Sequence, residues 1–342
     1  KHDTSAAHGE PLGEPEIRLT KRSYGWPEEA KFLVPDGVIE RFRDGVGKRG
    51  AKSRAAWEAL FEAYRAKYPD LADQVERMQK RELPDGWDKD LKEFSADPKG
   101  ISSRDASGLV LNMIALRYPW LIGGSADLAP STKTRLTFSS AGELEAETPQ
   151  GRNLHFGIRE HVMGSVLNGL ALSKVRAYGS TFLTFSDYMK PPIRLSALME
   201  VPVIYVFSHD SIGLGEDGPT HQPVEQLIAL RSIPGLITFR PADANEVLEA
   251  WRTIIQLKHQ PACLVVSRQA LPTFDRTRYA AAAGVSRGAY ILADAGDAKP
   301  SVILMGTGSE VALCIAAYEE LKQEGVPARV VGTAGCAEPG RT

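Results

Sequence analysis

Cysteine is scarce in this chain of 342 residues: three occur, at Cys263, Cys314 and Cys336. A set that is odd in number and widely spaced makes neither a disulfide framework nor a metal cluster. It suits a reducing compartment, so a cytoplasmic setting is expected. An excess of one charge sign is also lacking. Lys and Arg number 41 against 43 Asp and Glu, for a net charge of −2, which gives no footing for nucleic acid or an anionic membrane surface. No apolar run reaches membrane-spanning length, and the longest, Val201–Phe207, suits a buried strand. No secretory leader is recognisable and no initiator methionine is present. Lys1 opens the chain inside a polar, Gly- and Pro-containing segment that reads as the middle of a longer protein.

What is there is a globular composition, 43% hydrophobic and 25% charged, in a chain long enough for two or more domains. Residues 1–50 read as an irregular linker with one helix start at Pro27. An amphipathic helix is expected from Ser53 to about Lys67, stopped by Tyr68-Pro69, and a polar one from about Asp70 to Glu82. A helix over Ser102–Arg117 leads to a short strand at Trp120–Gly123. From there, β-branched and aromatic runs at Ser180–Phe185, Val203–Ser208, Leu236–Phe239, Cys263–Ser267 and Ser301–Met305 alternate with helical segments such as Pro192–Met199 and Ala244–Leu257. The alternation predicts an α/β fold with a parallel sheet, whose ligands collect at the carboxyl ends of the strands. The expected organisation is linker and helices over 1–100, an α/β domain over 101–278 and a partial second α/β domain over 279–342, the last with two strand candidates.

The stretch 151–172 raises the first chemical question. Val162, Met163, Val166, Leu167, Leu170 and Ala171 recur at three- and four-residue spacing, predicting a buried helix, with Glu160 at its mouth. A carboxylate there is costly to desolvate unless it has a partner. Gly164 and Gly169 cost helix propensity, so close backbone approach is expected at both.

Three polar clusters follow strands. Gly123–Ser131 carries Asp127, Leu128 and Ser131, which as an isolated motif is more often a capped turn. Phe207–Pro223 holds His209, Asp210, Glu216, Asp217 and His221 among glycines, which supply general acid/base groups and close backbone approach. Zinc on the two histidines is conceivable, although the spacing matches no familiar ligand pattern. Arg268 closes a strand and Arg104 opens a helix; either could pair with a structural carboxylate or grip an anion.

Taken together, GGSADLAPS, GRNLHFGIREH, YGSTFLTFSDY, SHDSIGLGEDGPTHQP, RPAD and SRQALP follow one another as in the transketolase family, and the resemblance runs from HGEPLG to GTGSEV. It implies the thiamine-diphosphate-dependent fold, with residues 101–278 as the pyrimidine-binding domain. It also implies transfer of a two-carbon ketol group from a ketose phosphate to an aldose phosphate. The resemblance gives Glu160 the aminopyrimidine of thiamine diphosphate and gives Phe182, Phe185 and Tyr188 its aromatic pocket, although Phe182 also reads as plain core. By the same resemblance Asp127 and Leu128 would line the cofactor cleft. Arg104, Ser131, His209 and Arg268 would take the acceptor phosphate, Asp217 a donor hydroxyl, and His221 the reacting carbonyl. His8 would reach cofactor and substrate. The catalytic set is therefore Glu160, His221 and His8, with no metal ligand in this chain.

The chain also departs from the family pattern. No Gly-Asp-Gly triplet occurs in it, so the diphosphate- and Mg²⁺- (or Ca²⁺-) binding domain is expected to be missing and the chain inactive alone, needing that domain or a partner chain. A Gly-, Pro- and Ala-rich string over 332–342 replaces the expected continuation. The family implies a homodimer, with no nucleic acid or membrane partner. Dihydroxyacetone synthase, and a non-catalytic subunit that keeps the fold, are the alternatives.

Overall fold

The computed structural model describes residues 1–336; the end of the 332–342 tail lies outside the described residues. The chain divides into two compact units, Lys1–Asp73 and Gln74–Thr342. The first holds α1 (Glu14–Ser23), α2 (Val38–Phe42), a π-helical turn over Arg43–Gly47 and α3 (Lys48–Lys67), and none of these buries a residue. Here the linker reading is corrected. Pro15 in the first turn, Glu14 and Glu16 at the amino end, and Lys21 and Arg22 at the carboxyl end are what a short helix needs. Pro27 opens no helix but lies beside a turn. The helix expected from Ser53 begins earlier, at Lys48, because it runs on from the π turn, and it stops at Tyr68 as expected.

After α4 (Pro69–Lys80) the second unit runs through β1 (Asp97–Ser102), α5 (Ser103–Arg117), β2 (Leu121–Ser125), α6 (Ala129–Thr132), β3 (Asn153–His155), α7 (Glu160–Leu172) and β4 (Arg176–Phe182). It continues with α8 (Ser186–Leu198), β5 (Ile204–Ser208), α9 (Gln226–Arg231), β6 (Ile237–Phe239), α10 (Ala244–Gln256), β7 (Ala262–Val266) and β8 (Ala270–Thr273). The last elements are β9 (Tyr290–Ala293), β10 (Val302–Gly306), α11 (Glu310–Gln323), β11 (Ala328–Gly332) and β12 (Gly335–Cys336). Six strands form a parallel sheet in the order β6-β7-β5-β4-β2-β3, with β12 antiparallel on the β6 edge. The region after β8 gives three strands in a separate sheet, β10-β11-β9, where two were expected.

Strand periodicity builds the core on both faces. Tyr178, Ile204, Val206, Leu264 and Val266 pack against α5 and α10. Their neighbours Ala177, Tyr205, Phe207, Cys263 and Val265 pack against α7 and α8 on the other side. Helix α7 corrects the expectation that its apolar positions, Val162 and Val166 included, are buried. Met163, Leu167 and Ala171 are buried, whereas Val162, Val166 and Leu172 are exposed. A Cβ on Gly164 would lie 2.8 Å from Pro192 Cγ of α8, so that glycine does permit a close approach; Gly169 faces open space.

Candidate active site

The carboxyl ends of the parallel strands point one way, and the sequence-predicted residues of this unit follow them. Ser103, at the start of α5, and Ser267, just after β7, latch the helix to the carboxyl end of that strand. Ser103 Oγ donates to Ser267 Oγ at 3.0 Å and accepts from the Ser267 amide at 2.6 Å. Because Arg104 and Arg268 each follow one of these serines, the latch sets two guanidiniums side by side. Arg104 Nη1 donates to the Ser131 carbonyl at 2.9 Å, so Ser131 enters through its backbone. Arg268 donates to the Leu214 carbonyl and, at 3.4 Å, to Glu216, and its Nε lies 4.0 Å from Asp217. Burial lowers the pKa of Arg104 from its usual value, and the neighbouring charge of Arg268 adds to that.

His209 is the centre of the cluster. It follows β5 in a left-handed conformation, φ +61°, which a non-glycine residue adopts only under constraint from its surroundings. It is buried, with Nδ1 2.9 Å from Ser208 Oγ and Nε2 3.7 Å from Asp217. Burial and the charge of Arg104 lower its pKa to about 4, so at neutral pH it is an uncharged imidazole between cations.

Phe182 joins this anion-suited cluster to the buried carboxylate. Its ring lies 3.8 Å from that of His209 and 5.6 Å from that of Phe185. The residue before it, Thr181, donates from Oγ1 to Glu160 Oε1 at 3.2 Å. Glu160 is buried at the first turn of α7. Phe182 is therefore both core and the floor beneath His209. His221 stands against the edges of Phe182 and Phe185, at 5.6 Å and 5.3 Å, with Nδ1 2.8 Å from Thr220 Oγ1. Tyr188 is exposed, 6.3 Å from Phe185. After β2, Ser125 Oγ accepts from the Leu128 amide at 3.2 Å and Asp127 turns at φ +65°.

His8 lies in the first unit, exposed, closing a 3₁₀ turn over Ser5–Ala7. Among the described residues no three of His, Cys, Asp and Glu converge as metal ligands. Sequence reasoning missed Thr181, Ser208, Thr220 and the Ser103–Ser267 latch. For Ser208 and Thr220 a signal existed, a hydroxyl residue immediately before each histidine. Thr181 and the latch depend on partners far along the chain and left none.

An α/β fold with a buried carboxylate, aromatic rings and an imidazole–guanidinium cluster at the carboxyl end of its sheet offers groups chemically suited to an aromatic ring and an anion. Residues 99–273 match the family model for the transketolase pyrimidine binding domain, and residues 288–338 that for the transketolase-like C-terminal domain. The chain belongs to the transketolase family, and its fold is the thiamine-diphosphate-dependent one. It is 48% identical over 335 residues to a transketolase of Aquifex aeolicus, covering 98% of this chain and 48% of that protein. A transketolase mutant of Pichia stipitis, solved as a complex with xylulose 5-phosphate, superposes with a TM-score of 0.86 at 37% identity, over 95% of this chain and 48% of that one. A more distant structure is a split-gene transketolase described as an inactive β4 tetramer, with a TM-score of 0.53 at 25% identity over 69% of this chain and 72% of that one. This chain thus spans about half the length of the curated relatives it matches.

One expectation is corrected by the same comparison. Residues 1–84 match the model of the transketolase thiamine diphosphate binding domain, so the segment read as a linker carries part of the domain expected to be missing. The sequence reading failed there because it looked for the Gly-Asp-Gly triplet as that domain's mark.

Proposed function

We propose that this chain carries the pyrimidine-side portion of a transketolase active site and acts in reversible transfer of a two-carbon ketol group between sugar phosphates. The observation that carries the reading is the path Glu160–Thr181–Phe182–His209. It joins a buried carboxylate with spare acceptor capacity to a neutral imidazole flanked by Arg104 and Arg268. When bound, thiamine diphosphate supplies the nucleophilic carbon and the electron sink of such a reaction. The residues present fit its aminopyrimidine: Glu160 accepts one hydrogen bond, from Thr181, among the described residues, and Phe185, stacked on Phe182 and 6.3 Å from Tyr188, offers an aromatic surface.

Glu160 would hold the ring nitrogen and share a proton with it, with Asp127 and Leu128 lining the same cleft. Arg104 and Arg268 would neutralise a phosphate dianion through forked donors, while His209 donates a hydrogen bond without adding charge. Asp217, facing both His209 and Arg268, suits a sugar hydroxyl. His221, whose Nδ1 lies 2.8 Å from Thr220 Oγ1, would move a proton at the reacting carbonyl, and His8 would serve cofactor and substrate. Mg²⁺ or Ca²⁺, a cytoplasmic setting and a homodimer complete the proposal. Val162, Val166 and Leu172 of α7 and Ile158 just before it are exposed, and Gly169 of the same helix faces open space, which supports the homodimer.

The test is an assay of ketol transfer from xylulose 5-phosphate to an aldose phosphate, with thiamine diphosphate and Mg²⁺ present. The 342-residue chain is expected to be silent alone and active once the unmatched portion of a relative is added. Silence of the mixture would overturn the function. Full activity of the chain alone would overturn the need for a complement.

A further inference from the structure

The amino-terminal edge of the sheet, opposite the site above, carries a cluster that ketol transfer does not use. Arg176 opens β4 and is 6% exposed. Its two terminal nitrogens donate to the carbonyls of Leu257 and Ile254, at 2.8 Å and 2.5 Å, at the carboxyl end of α10. Arg81 reaches the same helix end, donating from Nη1 to the Lys258 carbonyl at 2.6 Å, beside His259 Nδ1 at 3.3 Å. In both guanidiniums the Nε is buried and has no acceptor among the described residues. Both side chains line one cavity of about 10 Å³, shared with Lys174, Tyr118 and Trp120 and lined by no carboxylate.

Capping explains only part of this arrangement. A helix carboxyl end carries roughly half a negative charge, against two guanidiniums at one cavity that Lys174 also lines. Capping also uses only the terminal nitrogens and leaves both Nε hydrogens unused. A buried N–H without an acceptor carries its full desolvation cost, more for a charged group. Burial lowers the Arg176 pKa to about 10, with the charge of Arg81 acting in the same direction. The cavity is of the size that takes a single water-sized occupant.

We propose that this cavity is a binding site for a small inorganic anion of halide size, held by the Nε hydrogens of Arg81 and Arg176, with Lys174 as a third cation. The bound ion would join the segment after α4 to the start of β4 and the end of α10, and so couple the stability of the fold to halide concentration. Thermal unfolding of the full chain in sodium chloride and in sodium gluconate, at matched ionic strength, tests it, since the gluconate anion is too large to enter. We expect a saturable rise in Tm of about 3 °C in chloride alone. The rise should vanish in Arg176→Gln and in Arg81→Gln. Crystals soaked in sodium bromide should show an anomalous peak within hydrogen-bond reach of both Nε atoms. Equal Tm values in the two salts, or bromide found only elsewhere, would overturn the proposal. Should Arg176→Gln fail to fold, Arg81→Gln decides, and a chloride effect unchanged in that variant counts against the site.

Discussion

Glu160 and Glu246 are both buried carboxylates at the first turn of a helix, yet their surroundings differ in kind. Glu246 is 1% exposed, and both its oxygens are engaged within the chain: Oε1 by the Tyr290 hydroxyl at 2.6 Å and Oε2 by the Ala242 amide at 2.8 Å. Beside it Asp243 is held by both oxygens to Arg276 Nη2, each at 2.8 Å, and also accepts from the Phe274 amide at 3.0 Å. Glu160 accepts one hydrogen bond, from Thr181, and no described cation pairs with it. One cluster completes itself and ties α10 to β9. The other is left with acceptor capacity to spare. Buried polar groups are ordinarily satisfied, so the unequal accounts set a self-contained carboxylate apart from the one to which the proposed function gives an external partner.

The contrast is broken most directly by Glu160→Gln. In a complemented assay, ketol transfer should fall by roughly 10²–10⁴-fold, the scale of a lost acid–base group, with circular dichroism and unfolding midpoint unchanged. A variant that stays active, or one that unfolds, would put Glu160 in the same class as Glu246. The converse is Arg276→Met, which strands Asp243 without its cation. Breaking a buried pair costs about 3–5 kcal/mol, to be read as a fall in the urea midpoint.

Glu246 sharpens the comparison through pH. Burial, and then the charge of Asp243, push its pKa up to about 7 from the ordinary 4.5. An acid with a raised folded pKa contributes stability that is complete below the unfolded value and is lost as pH rises through the folded one. Stability should therefore decline between about pH 4.5 and 7, by at most about 1.4 kcal/mol per pH unit. Arg276 and the Tyr290 hydroxyl are the other titratable groups facing Glu246. Glu246→Gln should flatten the slope in urea unfolding followed across that range, and a slope that persists would assign it to another group.

Much of the fold was legible because buried parallel strands read as unbroken β-branched runs, as in Val203–Ser208 and Cys263–Ser267. Strand β3, three residues with a polar Asn and His, shows no such run, and β1 contains both a proline and a glycine. Both exist because neighbouring strands supply their hydrogen bonds, which is a tertiary reason that no local pattern encodes. The site divides the same way. His209, Asp217, His221 and Arg268 stand in loops after strands, where topology puts ligands, and are visible from order alone. Thr181 facing Glu160, and the Ser103 latch on Ser267, join residues from separate elements and emerge only with the sheet. The α7 stripe misled because spacing alone cannot tell which apolar positions a neighbouring element covers.

Gly164 and Gly169, on that same helix, repeat the comparison at its smallest scale. The space at Gly164 is filled from within: an added Cβ would sit 2.8 Å from Pro192 Cγ and 2.9 Å from Met189 Cγ. Gly164→Ala should therefore cost about 1–3 kcal/mol by overpacking α7 on α8. An added Cβ at Gly169 meets nothing within 4 Å. If α7 has no further partner, Gly169→Ala should stabilise the chain by roughly 0.5–1 kcal/mol through helix propensity, as read from urea unfolding. The proposed homodimer predicts a second effect, in which the same methyl weakens self-association in sedimentation equilibrium while the monomer gains stability. A substitution that leaves self-association unchanged would mean that Gly169 is open for reasons other than a partner. The α7 face would then have to be assigned to something other than a second copy of the chain.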